Sequence, residues 1–255
     1  MTMYHSSFSA AFKLMKAKQA ILLTGEKGTG KTTLAIQLTE KLGLTFYTMS
    51  MTRQTTLSLL LGFMNVNGIY VPSQIRTAAE NGGVVLLDEI DAGDPNVLLC
   101  LNSIENGYIA FSDKVVQLHK DFHLMATSNP QDNHKDYNGR AKLDAATLDR
   151  FDIIDIELEA ELEQTLVDKI TYLHVQLIRK CLTDAGSSTY VSMRDSMRFQ
   201  LRKELKIMDG FIERLLKKDR SALERYNEQK SKIPEVSSID ECENILDVWK
   251  FASSI

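Results

Sequence analysis

The segment Ala20-Ile-Leu-Leu-Thr24-Gly25-Glu26-Lys27-Gly28-Thr29-Gly30-Lys31-Thr32-Thr33 limits the possible folds more than any other part of the chain. An apolar run passes through a glycine-rich turn into a helical pattern from Thr33 to Leu42. Gly-x4-Gly-Lys-Thr between a strand and a helix is a phosphate-binding loop. Glycines let successive backbone N–H groups turn inward around a polyphosphate, at the positive end of a helix dipole. Gly25, Glu26, Lys27, Gly28, Thr29, Gly30, Lys31, Thr32 and Thr33 would form this cradle. Lys31 would reach the β- and γ-phosphates, and the Thr32 hydroxyl would hold Mg2+. By chance the loop pattern alone arises in roughly one chain in a hundred of this length. The flanking strand and helix therefore carry much of the weight, and they predict a nucleoside triphosphate site, with ATP and Mg2+ as ligands.

The chain has 255 residues, 44% hydrophobic and 25% charged, which suits a globular protein of one or two domains. A net charge of −4 argues against a surface that coats DNA generally, while leaving room for a local basic patch. Cys100, Cys181 and Cys242 have no metal-like spacing and fall in helical patterns, so free thiols in a reducing compartment are expected. No apolar run approaches the roughly 18 residues that cross a bilayer. The N-terminus lacks the charged and apolar regions of a secretory signal, and a cytoplasmic location is the expectation.

Short apolar runs alternate with helical patterns over the first part, which predicts a parallel sheet wrapped by helices. Strands are expected at Leu44 to Met49, after a helix stop at Gly43, and at Val84 to Leu87, apolar on every residue as in a strand covered on both faces. Two more are expected at Phe122 to Thr127 and Phe151 to Ile156. Ser73 to Asn81 reads as a helix, Asp94-Pro95 as the start of another that Gly107 closes, and Tyr108 to Leu118 as a hairpin around Ser112-Asp113. Beyond Glu157 the strand signals stop. Leu162, Leu166, Ile170, Leu173 and Leu177 form one helical stripe, and Met197, Leu201, Leu205, Met208, Ile212 and Leu215 a second that Gly210 interrupts. Pro234 precedes a last helical piece, Ile239 to Phe251. The expected organisation is an α/β nucleotide domain over residues 1–158 and a helical domain over 159–255.

The strand Val84-Val-Leu-Leu ends in Asp88-Glu89, 57 positions after Lys31. A carboxylate at the C-terminal end of a parallel strand lies beside the phosphate loop. Asp88 would hold Mg2+ through its water shell. Glu89 would act as general base on the attacking water, which favours hydrolysis over transfer to a second substrate. Asn129 ends the next strand and could orient that water, although Asn-Pro is also a common turn. Arg150, in Leu148-Asp149-Arg150-Phe151, could supply a guanidinium to a γ-phosphate, or simply pair with Asp149 or Asp152 at the surface.

These residues in this order resemble the AAA+ ATPases, in particular the dynein-related and MoxR-like branch. CobS-type cobalt chelatase subunits and similar ATPases of phage genomes are included there. The resemblance rests on Gly25 to Thr32, Asp88-Glu89-Ile90-Asp91, Ser128-Asn129-Pro130 and Tyr137 to Phe151, and spans about residues 20–157. It implies a P-loop NTPase core with a five-stranded parallel sheet in order 5-1-4-3-2, an α-helical lid, and a homo-oligomeric ring, usually a hexamer. It places Asn129 at the sensor-1 position and Arg150 as an arginine finger reaching into the neighbouring subunit's site. Arg140 is a second interface candidate. Val191-Ser192-Met193-Arg194 resembles the sensor-2 segment, with Arg194 contacting the γ-phosphate. The following basic helix (Arg198, Arg202, Lys203, Lys206) reads as a solvated face or a partner surface. Phe63, Met64, Ile69 and Tyr70 lie where the family carries a pore insert, so they either grip a substrate or pack a loop. The resemblance further implies that the ring remodels a partner protein or inserts a metal, often beside a von Willebrand A-domain partner. A nucleic-acid motor on the same core is the alternative, and a small-molecule kinase is disfavoured by Glu89.

Overall fold

The computed structural model describes residues 3–130, 143, 145–208, 210–216 and 219–233. Arg140, Cys242 and the anticipated helix from Ile239 lie outside these residues. Contacts divide the chain into two compact units, Thr2–Glu157 and Leu158–Ile255.

The first unit runs α1 (Phe8–Lys16), β1 (Ile21–Thr24), α2 (Lys31–Leu42), β2 (Phe46–Ser50), α3 (Leu57–Leu61), β3 (Phe63–Met64) and β4 (Tyr70–Val71). It continues through α4 (Gln74–Asn81), β5 (Gly83–Asp88), α5 (Pro95–Leu98), β6 (Tyr108–Ala110), β7 (Val115–Gln117), β8 (Phe122–Ser128), α6 (Ala145–Leu148) and β9 (Asp152–Asp155). Five strands form one sheet in the order β2-β5-β8-β1-β9, parallel throughout. Numbered among themselves along the chain, these five stand 5-1-4-3-2, the expected order.

Burial explains which strands are central. β5 and β8 are buried along almost their whole length, as strands covered on both faces must be. The edge strand β9 alternates, Ile153 facing outward. Successive side chains point to opposite faces, so each strand feeds two cores. Leu22, Val85, Leu87, Leu124 and Ala126 pack with Ile75, Ala78 and Ile90 on one side. Ile21, Leu23, Val84, Leu86 and Met125 pack on the other with Ala11 and Met15 of α1 and Leu34, Ala35 and Leu38 of α2. Each fully buried leucine here contributes about 2 kcal/mol.

Two local details differ from the sequence expectation. β2 begins at Phe46, not Leu44, because Gly43 takes a left-handed φ of 68°. The N–H groups of Gly43 and Leu44 then turn back to Glu40 and Thr39 at 3.0 and 3.2 Å, which spends Leu44 on closing α2. The helix that starts at Asp94-Pro95 becomes a 3-10 helix over Leu99–Asn106 before Gly107 ends it.

β6 and β7 form the anticipated hairpin, and β3 and β4 form a second. Arg76 of α4 joins them. Its guanidinium meets both Asp113 oxygens at 2.7 and 3.1 Å and Glu80 at 3.0 Å. It also stacks on Tyr70 and Phe111, 4.8 and 4.7 Å from the ring centroids. A charge this deeply buried (4% exposed) needs partners of opposite sign beside it. Tyr70 is tied into this arrangement: its hydroxyl donates to the Leu61 carbonyl at 2.5 Å. Phe63, Met64 and Ile69 are exposed.

The second unit is helical: α7 (Ala160–Leu166), α8 (Lys169–Asp184), α9 (Met193–Glu204), α10 (Phe211–Leu216) and α11 (Arg220–Gln229). The single stripe expected over Leu162 to Leu177 is two helices. Val167 is extended at φ −137° and ψ 157°, and the Asp168 side chain accepts the Thr171 N–H at 2.8 Å to start α8. In the second stripe Met197, Leu201 and Leu205 face outward, and α9 buries Met193, Ser196 and Phe199 instead. A polar core explains the exchange. Glu163, fully buried, receives Arg179 at 2.6 and 2.8 Å and the Ser196 hydroxyl at 2.5 Å. The basic residues of α9 find local partners: Arg198 with Asp195, Arg202 with the Ile207 carbonyl, Lys203 with Asp168.

Cys100 and Cys181 are free thiols, and burial pushes the Cys100 thiol up to about 12. Among the described residues no helix is long and apolar enough to cross a membrane.

Candidate functional site

The C-terminal ends of β1, β5 and β8 deliver the loop, the acids and Asn129 to one edge of the sheet. Gly25, Gly28 and Gly30 all take positive φ, at 151°, 74° and 97°. Gly25 is also sterically required, since a Cβ there would lie 2.2 Å from the Ile156 carbonyl oxygen. Thr29, buried, ties the loop to itself by donating to the Glu26 carbonyl at 3.0 Å. α2 then begins at Lys31 with Gly30 as its N-cap and no side chain capping its first turn. The orphan N–H groups of that turn and the dipole behind them suit an anion.

Lys31 is folded into the loop, its ammonium donating to the carbonyls of Gly25 and Glu26 at 2.6 and 2.8 Å. Burial pulls it from 10.5 down to about 8, against the opposing influence of Asp88, Glu26, Asp91 and Glu89. A cation that desolvated, beside an uncapped helix start, fits a polyphosphate. The Thr32 hydroxyl lies 3.5 Å from Asp88 Oδ1. Among the described residues no group of three or more His, Cys, Asp or Glu could hold a metal ion by itself. One hydroxyl and one carboxylate fit Mg2+, which keeps most of its waters and takes few protein ligands.

Glu89, directly after β5, has φ 57° and ψ 49°, a left-handed conformation rare outside glycine. Such strain concentrates at functional sites. Its N–H donates to the Thr127 hydroxyl at 2.8 Å, and that hydroxyl donates to Asp88 Oδ1 at 2.5 Å. Sequence reasoning missed Thr127, whose partners lie 38 and 39 residues away in the chain. Asn129 follows β8 and is buried at 7% exposure, at the same sheet edge. Thr24, beside the loop, donates to Asp155 at the end of β9.

Arg150 lies two residues before β9, where it donates to the Ala146 carbonyl at 2.6 Å and faces Glu105 at 3.6 Å. Neither Asp149 nor Asp152 is the partner shown for it. An apolar cavity of about 30 Å³ lies against Arg150, and none of its lining residues belongs to the phosphate loop. Arg194 belongs to the second unit, exposed in the first turn of α9. That turn is fixed by a reciprocal cap between Ser192 and Asp195.

Comparison with known proteins agrees with this geometry. The family described as AAA domain (dynein-related subfamily) matches residues 20–151. An uncharacterized protein of Staphylococcus saprophyticus is 27% identical over 162 residues, 59% of this chain and 60% of that protein. The midasin of Giardia intestinalis is 29% identical over 146 residues, 54% of this chain and 3% of that protein. The midasin of Dictyostelium discoideum is 29% identical over 159 residues, 56% of this chain and 3% of that protein. The shared region thus spans three fifths of the staphylococcal relative and a small part of each midasin. With more than half of its length matched, this chain belongs to the AAA domain family of the dynein-related subfamily.

Proposed function

We propose that this chain is a Mg2+-dependent ATPase of the MoxR/CobS-like kind, working as a ring whose subunits complete one another's sites. The carrying observation is the half-buried Lys31 ammonium in an uncapped, glycine-built loop, opposite the strand-end acids Asp88 and Glu89. In this reading the backbone of Gly25 to Thr33 and Lys31 bind the triphosphate, which replaces the Gly25 and Glu26 carbonyls as the partner of the ammonium. Thr32 and Asp88 hold Mg2+, which when bound neutralises charge on the phosphate oxygens. Glu89 accepts the proton of the attacking water, and Asn129 orients that water.

Arg150 acts on the neighbouring copy, for which an arginine one quarter exposed and tethered by one carbonyl and a distant carboxylate is free enough to reach outward. Arg194, from the helical lid over 159–255, contributes the sensor-2 contact. The work done is remodelling of a partner protein or insertion of a metal into one. Phe63, Met64 and Ile69, exposed on their hairpin, are the surface offered to that partner.

Subunit mixing tests the reading. Glu89→Gln should bind ATP with wild-type affinity and hydrolyse it about 10²–10⁴-fold more slowly. Arg150→Ala should lose on the order of 10³-fold or more in turnover. Mixing the two inactive variants should restore part of the activity, because a Glu89-intact site can then receive Arg150 from its neighbour. No rescue at any ratio would refute the shared site.

A further inference from the structure

We infer that Thr127 is the positioning residue for both strand-end acids, holding Glu89 and Asp88 in register through one hydroxyl; the inference rests on the roles proposed for those two acids. Thr127 is 1% exposed, so bulk solvent does not compete for its hydroxyl. A hydroxyl has one proton to give and lone pairs to receive. The proton goes to Asp88 Oδ1 at 2.5 Å, and a lone pair takes the Glu89 N–H at 2.8 Å. Both directions of the rotor are committed.

The backbone around it shows why such a tie is needed. The ladder between β5 and β8 ends at Leu87 and Ala126. Two residues further, Glu89 leaves the sheet in a left-handed conformation that an L residue holds only when its surroundings impose it. Its N–H is bound by a side chain where a strand carbonyl would otherwise serve. Thr127 thus supplies the rung that the turning chain loses, and the same hydroxyl fixes the carboxylate of the preceding residue. The two acids are aimed together.

Thr127→Val keeps the volume and removes the hydroxyl, whereas Thr127→Ser keeps the hydroxyl and removes a methyl. In nucleotide-free protein, hydrogen exchange at residues 89–93 should be about tenfold or more faster in Thr127→Val and close to wild type in Thr127→Ser. ATP turnover should fall in Thr127→Val with ATP binding measured without Mg2+ unchanged, and Thr127→Ser should restore it. Unchanged exchange in Thr127→Val, or a fall in Thr127→Ser as deep as in Thr127→Val, would each overturn the inference. Normal turnover in Glu89→Gln alone would instead remove the proposed base, and the exchange measurement would still judge the Thr127 tie.

Discussion

Replacing Lys31 with methionine should make the ligand-free protein more stable while abolishing its ATP binding. The reasoning starts from burial, which lowers Lys31 from 10.5 to about 8. The distance between those values corresponds to about 3 kcal/mol by which the folded loop disfavours the charged form at neutral pH. Methionine has similar length and carries no charge. Its introduction leaves the Gly25 and Glu26 carbonyls without their donor, which takes back about 1 kcal/mol. The net gain is about 2 kcal/mol, or a rise in Tm of roughly 4–8 °C at this chain length.

The pH dependence separates this cause from generic effects. Between pH 8 and 10.5 the folded loop has released its proton while the unfolded chain still holds it. Wild-type stability must therefore rise relative to the variant by up to about 1.4 kcal/mol per pH unit in that window. The advantage of Lys31→Met is fully present below pH 8 and gone by 10.5. Thermal melts of both proteins from pH 6.5 to 10, with and without ATP and Mg2+, measure it. A wild type more stable than Lys31→Met at pH 7 without nucleotide, or a gap that ignores pH, would refute the argument.

Three further substitutions probe the frame. Gly25→Ala should destabilise the first unit by about 2 kcal/mol or more, because its Cβ meets the Ile156 carbonyl at 2.2 Å. Gly43→Ala, left-handed but with nothing within 4 Å, should cost only about 1 kcal/mol in the same melts. Glu163→Ala removes the carboxylate from Arg179 and Ser196 in the helical unit and leaves them the Val191 and Ser192 carbonyls. Denaturant titration should show a loss of about 3–5 kcal/mol, and a loss below 1 kcal/mol would mean the network carries little.

Much of the nucleotide end was legible because its chemistry is local. Gly25 to Thr33 and Asp88-Glu89 are contiguous motifs, and the apolar run of β5 announces a strand covered on both faces. The strand order came from family resemblance, since no periodicity in residues 44 to 156 says which strand neighbours which. α1 had a readable signal, Phe8, Ala11, Phe12 and Met15 at helical spacing, that was not used. In the second unit the pattern misled. Period analysis finds the apolar stripe Met197, Leu201, Leu205 but cannot know that Glu163 draws Ser196 inward and turns that stripe to solvent. Thr127 was invisible for a related reason: a lone threonine in a strand gains meaning only from what folding sets across from it.

The guanidinium of Arg76 has a mechanical implication. It touches an aspartate at one hairpin's tip, an aromatic ring from each hairpin and a glutamate one turn along its own helix. Peeling either ribbon away would strip a ring from one face of the guanidinium, and losing the β6–β7 ribbon would break its paired contact with Asp113 as well. The two ribbons therefore share one fulcrum, and a push delivered to either is felt by the other before any bond gives.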